Sequence, residues 1–287
     1  MSNFSQILAL IDGSMYATSV CDHAAWVSSR CDAHIDMMHV VGRRGVGAEL
    51  SDLSGNIGLG ARTSLLQELA DHDRQNAKLA LKRGRLLLDA AQEHLQQAGI
   101  ENAATRMRNG EIVESVEKSE KSSDLVIIGK RGEGADFDKL HPGSNLERVA
   151  RFCKKPLLVT ARAFRPIQRV LVAYDDGQST RNAVDSIATN PLFAGLDIKL
   201  ISVGSASSKL QARLDSAAAN LTQAGLTTTT EIIDGQPEVA IVDELQKNNH
   251  DLLVLGSHGH SRIRRLILGS TTTTMIASCK TSVLMYR

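Results

Sequence analysis

The chain contains two copies of one pattern of apolar segments and turns. The segment ILALIDGS at residues 7–14 returns as VLVAYDDG at residues 170–177, a separation of 163 positions from Asp12 to Asp175. Later in the chain the separation is 127, because DLVIIG at residues 124–129 returns as DLLVLG at residues 251–256. Self-similarity of this kind is the signature of a duplicated structural unit. Any fold for this chain must therefore form twice within 287 residues.

The change in separation locates an insertion in the first copy. The tripeptide AGI at residues 98–100 matches AGL at residues 224–226 with an offset of 126, so 163 − 126 = 37 extra residues fall between positions 40 and 99. We therefore expect two tandem domains, residues 1–163 and 164–287, each of a usual domain size. The insertion is rich in glycine but contains no GxxxxGK[ST] phosphate loop. It could cover the cleft of the first domain, bind a partner, or be a tolerated surface insertion.

Short runs of Val, Ile and Leu bounded by Gly or Asp alternate with helical periodicity in both copies. Such runs are typical of strands that are buried on both faces of a parallel sheet. Each copy is predicted to contain five strands and four helices in strict alternation. Leucines between residues 65 and 95 predict a long helix or a helix pair in the first copy. The predicted fold class is α/β, with two tandem doubly wound five-stranded parallel sheets of Rossmann-like type.

Composition excludes several other classes of protein. The 33 basic and 32 acidic side chains nearly cancel and aromatic residues are only 3%, so nucleic acid is not an expected partner. No stretch approaches the apolar length of a membrane helix, so no membrane insertion is expected. The four cysteines are scattered and form no CxxC pair, which is typical of the reducing cytoplasm. The sequence therefore predicts a cytoplasmic α/β protein.

A glycine motif follows the fourth predicted strand of the second copy. Gly256 and Gly259 are separated by two residues, nine residues lead to Gly269, and Ser270 and Thr271 come next. Glycine lets the backbone approach a phosphate closely, and residues 272–278 have a helical pattern. Free amides and two hydroxyls would thus lie at a helix N-terminus, which favours an anion.

With this motif, the Asp-ending first strand and the duplication, the sequence resembles tandem universal stress proteins of the nucleotide-binding type. The resemblance covers both halves and implies an ATP site, with or without Mg²⁺. In that family the acid after the first strand contacts the nucleoside, the backbone at the end of the second strand holds adenine, and the glycines and hydroxyls hold the phosphates. In the second copy these positions are Asp175, Val203, Gly256, Gly259, Gly269, Ser270 and Thr271. In the first copy they are Asp12, Val40, Gly129, Gly132, Gly143, Ser144 and Asn145.

The first copy departs from the pattern. Ten residues rather than nine separate Gly132 from Gly143, and they include Glu133, Asp136 and Asp138. The corresponding loop of the second copy carries three arginines and no acid: Arg262, Arg264 and Arg265. Since a triphosphate is strongly negative, we expect the second domain to bind ATP more tightly than the first.

Simpler interpretations remain open for each of these residues. The glycines could serve only as turns, the arginines could form a solvated face, and Asp12 and Asp175 could cap the helices that follow them. His258 and His260 lack a nearby carboxylate or thiol, so no metal site is predicted.

No Ser-His-Asp elbow, paired carboxylates or kinase signature is present, so no catalytic residues are predicted. The resemblance implies a stress-response regulator or nucleotide sensor rather than an enzyme. The alternative is a scaffold that binds partners without nucleotide.

The last strand of each copy, residues 156–160 and 282–286, is apolar and is expected at a sheet edge. The resemblance implies that the two edges pair with each other and give an intramolecular pseudo-dimer. Whether that unit forms a further homodimer is left open.

Overall fold

The computed structural model describes residues 3–42, 59–132, 144–256, 276 and 279–287, without the side chains of residues 59–65 and 144. In the first half, the strands and helices alternate. They are β1 (Gln6–Leu10), α1 (Ala17–Cys31), β2 (His34–Val41), α2 (Leu59–Gln97), β3 (Ala103–Asn109), α3 (Ile112–Ser119), β4 (Leu125–Gly129), α4 (Ser144–Phe152) and β5 (Leu157–Thr160).

The second half repeats this order. Its elements are β6 (Arg169–Ala173), α5 (Gln178–Thr189), β7 (Asp197–Val203), α6 (Ser208–Gln223), β8 (Thr227–Ile233), α7 (Pro237–Lys247), β9 (Leu252–Gly256) and β10 (Ser282–Tyr286). A short 3₁₀ helix, Pro191–Phe193, follows α5. The helix predicted after Gly269 falls almost wholly outside the described residues.

All ten strands form one sheet in the order β3-β2-β1-β4-β5-β10-β9-β6-β7-β8. Within each half every strand pair is parallel. The two halves meet where β5 pairs with β10 in antiparallel orientation, with Leu158 opposite Leu284. The predicted doubly wound α/β fold is confirmed, and the two five-stranded sheets are continuous.

Strand periodicity of two explains how the sheet is covered on both faces. In β1, Ile7 and Ala9 belong to a core that includes residues of α1, α2, α5 and α6. Leu8 and Leu10 belong to a second core that includes residues of α3, α4 and α7. Each buried strand is therefore apolar on both sides, which is why the sequence shows continuous apolar runs.

The insertion of the first copy contains a single helix rather than a helix pair. Helix α2 has 39 residues, and its second half packs on β2 and β3. Gly84 allows the close approach, because a Cβ at this position would lie only 2.7 Å from Cδ2 of His39. Side chains of residues 66–79 are all exposed. The first half of α2 therefore extends beyond the body of the domain.

Contacts between the halves are concentrated beside the β5–β10 pair. His23 of α1 is buried, and its Nε2 lies 2.7 Å from Oγ of Ser282. Arg30, also of α1, donates from Nε to the Leu192 carbonyl at 2.8 Å. Lys130 donates from Nζ to the Thr281 carbonyl at 3.1 Å. These bonds make the two halves one packed unit.

No helix within the described residues is long and apolar enough to cross a bilayer. The four cysteines are all unpaired and buried.

Candidate functional site

A cleft lies where the strand order of the first half reverses. The chain runs outward from β1 to β2 and β3, and then returns to β4 on the other side of β1. Ligands of open parallel sheets bind at the carboxyl ends of the strands at such a switch point. The cleft has a volume of about 500 Å³, including its opening to solvent.

The cleft brings together five of the seven first-copy residues predicted from the sequence. Asp12, Val40, Gly129, Gly132 and Asn145 all line it. Asp12 follows β1, Val40 lies near the end of β2, Gly129 ends β4, and Asn145 lies in the first turn of α4. Ser144 begins α4, and Gly143 lies outside the described residues.

Asp12 is held by the turn that leads into α1. The backbone N–H of Ser14 donates to Oδ1 of Asp12 at 3.0 Å, and the backbone N–H of Tyr16 donates to Oγ of Ser14 at 3.2 Å. Helix α1 begins one residue later, with Tyr16 at its N-cap. Asp12 thus stabilises the turn, but it is not the N-cap of α1. A role as helix cap therefore does not explain the residue, and its Oδ2 is not used by the turn.

That second oxygen faces the glycine segment after β4. A Cβ at Gly132 would lie 3.1 Å from Oδ2 of Asp12, which is tighter than most real contacts. A Cβ at Gly129 would lie 2.6 Å from Cβ of Tyr16. The first glycine therefore lets the end of β4 pack against the turn before α1, and the second leaves room beside the carboxylate.

The rest of the cleft wall is mainly apolar and was not identified from the sequence. It consists of Leu10, Ile11, Met38, His39, Ile112, Ile128 and Leu146. Nδ1 of His39 lies 2.8 Å from the Ile11 carbonyl, so this ring nitrogen carries the hydrogen. His39 looks like a strand residue in the sequence, and only the arrangement of β1 beside β2 shows that it reaches the cleft.

The second half places its equivalents at the ends of corresponding strands. Asp175 follows β6, Val203 ends β7 and Gly256 ends β9. Oδ1 of Asp175 accepts hydrogen bonds from the Gly177 backbone at 2.9 Å and from Oγ1 of Thr180 at 2.7 Å. Gly177, not Asp175, is the N-cap of α5.

Gly256 has the same close packing as Gly129 but against different atoms. A Cβ at Gly256 would clash with Oγ of Ser179 and would lie 2.8 Å from Cγ2 of Thr180. The remaining second-copy residues lie outside the described part of the chain: Gly259, Gly269, Ser270 and Thr271. The acidic and basic loops compared in the sequence lie outside it as well, as do His258 and His260.

Within the described ranges, no group of three or more His, Cys, Asp or Glu side chains is arranged to hold a metal ion. In the cleft, Asp12 is the one carboxylate among the described lining residues.

Comparisons with known proteins agree with this architecture. Universal stress protein Slr1230 of Synechocystis sp. is 38% identical over 284 residues, covering 98% of this chain and 99% of that protein. The crystal structure of a universal stress protein from Archaeoglobus fulgidus has a TM-score of 0.70 at 21% identity, covering 99% of this chain and 97% of that one. The sequence profile of the universal stress protein family matches twice, over residues 3–161 and 166–287. The chain therefore belongs to the universal stress protein family.

Proposed function

We propose that the protein is a regulator of the stress response that binds an adenine nucleotide, ATP in the first instance, at the carboxyl edge of each half. The observation that carries the proposal is the cleft of the first half. It gathers an acid, a strand end, two glycines and the first turn of a helix at a switch point of the sheet. This is the geometry that α/β folds use for nucleotides.

Each part of the cleft suits one part of a nucleotide. The apolar wall formed by side chains such as Met38 and Ile112 suits a base. The carboxylate of Asp12 suits ribose hydroxyls, which donate hydrogen bonds. The backbone at Gly129 and Gly132 and the start of α4 suit phosphates, because main-chain amides and a helix N-terminus attract anions. Since Asp12 is the one described carboxylate there, Mg²⁺ would be held mainly through the phosphates.

We propose that the two halves bind ATP with different affinities. The second copy has the regular glycine spacing and the arginine-rich loop, whereas the first has acids in the equivalent loop. We expect the tighter ATP site in the second half.

We propose that the protein acts by binding ATP rather than by hydrolysing it. The described cleft residues offer no second carboxylate, and Oδ1 of Asp12 already holds the turn before α1. Bound nucleotide stabilises the conformation that binds it, so occupancy itself can act as the signal.

We also propose that the β5–β10 pair replaces the association of two single-domain chains, giving an intramolecular pseudo-dimer. The proposal places the protein in the cytoplasm, where the four unpaired cysteines would stay reduced.

Calorimetric titration of the full chain with ATP tests the nucleotide proposal. Asp175→Ala should remove the tighter binding event and Asp12→Ala the weaker one. Each loss should be about 10- to 100-fold in Kd, the usual effect of removing a charged hydrogen-bond partner. Asp215→Ala, at an exposed position of helix α6, is the matched control and should bind like the unaltered protein. Absence of ATP binding by the unaltered protein would reject the proposal and favour a scaffold that acts without nucleotide.

A further inference from the structure

Helix α2 carries a long segment that nothing in the described part of the chain covers. Residues 66–79 are exposed on every side, a length of about 21 Å at 1.5 Å per residue. Three of the exposed large apolar side chains of the protein lie in this segment: Leu66, Leu69 and Leu79 are 49%, 43% and 64% exposed. Leu86, one turn into the packed half, is 59% exposed.

Such a segment is not stable by its own propensity. Isolated helices of fewer than about 12 to 15 residues are marginal in water, and most helices are held by tertiary packing of one face. The second half of α2 has this packing, through buried residues such as Leu88 and Leu95. The first half of α2 therefore needs another surface to pack against.

Two of its leucines, Leu69 and Leu79, form with Leu86 a seam for packing against another helix. Leu69, Leu79 and Leu86 are spaced by ten and seven residues, so they fall on one stripe of a seven-residue repeat. The same stripe passes through His72, Asn76 and Arg83, and the side chains of His72 and Asn76 lie 3.1 Å apart. The residues that pack on the body, Gly84, Leu88, Ala91 and Leu95, follow a different face of the helix.

Charge along α2 is segregated by position. The stretch 66–75 contains Glu68, Asp71 and Asp73 against Arg74, which is paired with Asp71 at 2.7 Å. The stretch 76–86 contains four basic residues and no acid: Lys78, Lys82, Arg83 and Arg85. A parallel pair of these helices would place like charges together, whereas an antiparallel pair would place the acidic end against the basic end.

We propose that two copies of the chain associate through their α2 helices in an antiparallel pair. Leu69 of one copy packs against Leu79 of the other, Glu68 lies opposite Lys82, and His72 and Asn76 meet near the twofold axis. The mode of association requires no nucleotide, and it uses a part of α2 that the 16-residue helix α6, its counterpart in the second half, does not have.

Sedimentation equilibrium of the full chain without nucleotide tests the dimer. The unaltered protein should have twice the chain mass of 31.0 kDa. The double variant Leu69→Asp/Leu79→Asp should be monomeric. Ala70→Asp/Ala77→Asp is the control, because it adds the same charge to the exposed helix away from the stripe, and it should stay dimeric. A monomeric unaltered protein, or a Leu variant that remains dimeric, would overturn the proposal.

Charge reversal tests the antiparallel arrangement without removing any leucine. Glu68→Lys alone and Lys82→Glu alone should each weaken the dimer roughly 5- to 20-fold, because two flanking pairs are lost and become repulsive. The double reversal should restore most of the original affinity. Failure of the double variant to recover would rule out the antiparallel register.

Discussion

The two halves share a fold but treat the same aspartate differently. Asp12 holds one backbone N–H with Oδ1, and its Oδ2 faces Gly132. Asp175, 163 positions later, accepts at Oδ1 from both Gly177 and the hydroxyl of Thr180. The residue equivalent to Thr180 in the first half is Ala17, which has no hydroxyl. Duplication thus preserved the position of the acid, while one neighbouring side chain changed how firmly it is held.

The helices beside the junction differ in the same way. His23 of α1 and Ser186 of α5 occupy equivalent positions and both contact β10. His23 reaches Ser282 at the start of the strand, whereas Ser186 lies 2.9 Å from the Tyr286 hydroxyl at its end. One half therefore contributes a titratable group to the junction where the other contributes a hydroxyl.

The largest expected effect is a pH dependence of the free energy of unfolding, which His23 should cause and Ser186 should not. Nδ1 of His23 lies 2.6 Å from the Ser19 carbonyl, so this nitrogen carries a hydrogen, and in the neutral ring Nε2 accepts from the Ser282 hydroxyl. Burial lowers the pKa of His23 from 6.5 to about 4, against smaller opposing effects of Ser19 and Asp22. Between these values the unfolded chain binds a proton that the folded protein does not, so stability falls as pH falls. About 3 kcal/mol should be lost between pH 6.5 and 4.

Urea denaturation across this pH range measures the effect. His23→Gln should remove that part of the pH dependence. As pH falls, the unaltered protein should lose stability while the variant does not, so the difference between them should shrink. Ser186→Ala, the equivalent change in the second half, should lower stability by the same amount at every pH. Parallel curves for His23→Gln and the unaltered protein would contradict the prediction.

A second comparison concerns the glycines that end β4 and β9. Gly129→Ala would place a methyl group 2.6 Å from Cβ of Tyr16, an atom fixed to the backbone. Gly256→Ala meets Oγ of Ser179 and Cγ2 of Thr180, which lie beyond the Cβ atoms and can be displaced by rotation about χ1, at the expense of the Thr180 hydrogen bond to Asp175. We expect a loss of about 2 kcal/mol or more for Gly129→Ala, and a smaller loss for Gly256→Ala. Thermal denaturation of the two variants decides the order, and equal losses would show that both halves pack alike here.

The smallest expected effect concerns the hydroxyl of Thr180, which binds Asp175 and has no counterpart beside Asp12. Thr180→Val removes the 2.7 Å bond to Asp175, together with the 3.0 Å contact of the same hydroxyl with the Gly177 carbonyl, and should cost about 1 kcal/mol. Thr222→Val is the control, because its hydroxyl bonds to the Ala218 carbonyl on an exposed helix surface. Equal unfolding free energies for the Thr180 variant and the unaltered protein would mean that this bond does not hold Asp175.

Much of the fold could be predicted because its signals are local. The apolar runs that became β1 and β6 end at Asp12 and Asp175, and their repetition alone indicated two α/β units. The resemblance to the universal stress protein family assigned Asp12, Gly129 and Gly132 to one site, and all three line the cleft.

Contacts between distant segments could not be predicted in this way. Tyr16 against Gly129, and His39 against Gly84, depend on how a turn meets a strand end and how a helix crosses a sheet. Thr180 looks like any residue in the first turn of a helix until Asp175 is placed beside it. The leucines of α2 predicted a helix, but their spacing did not show that its first half would be left uncovered.

The antiparallel pairing of β5 with β10 also determines the direction in which the strands of each half run. Because all strands within a half are parallel, the carboxyl ends in one half point away from those in the other. The ends of β1 and β6, with Asp12 and Asp175, therefore open on opposite edges of the sheet. Two nucleotides bound there would lie at opposite edges and would face different surroundings. A partner that covered one edge would sense one ligand alone, so a single chain could report two occupancies independently.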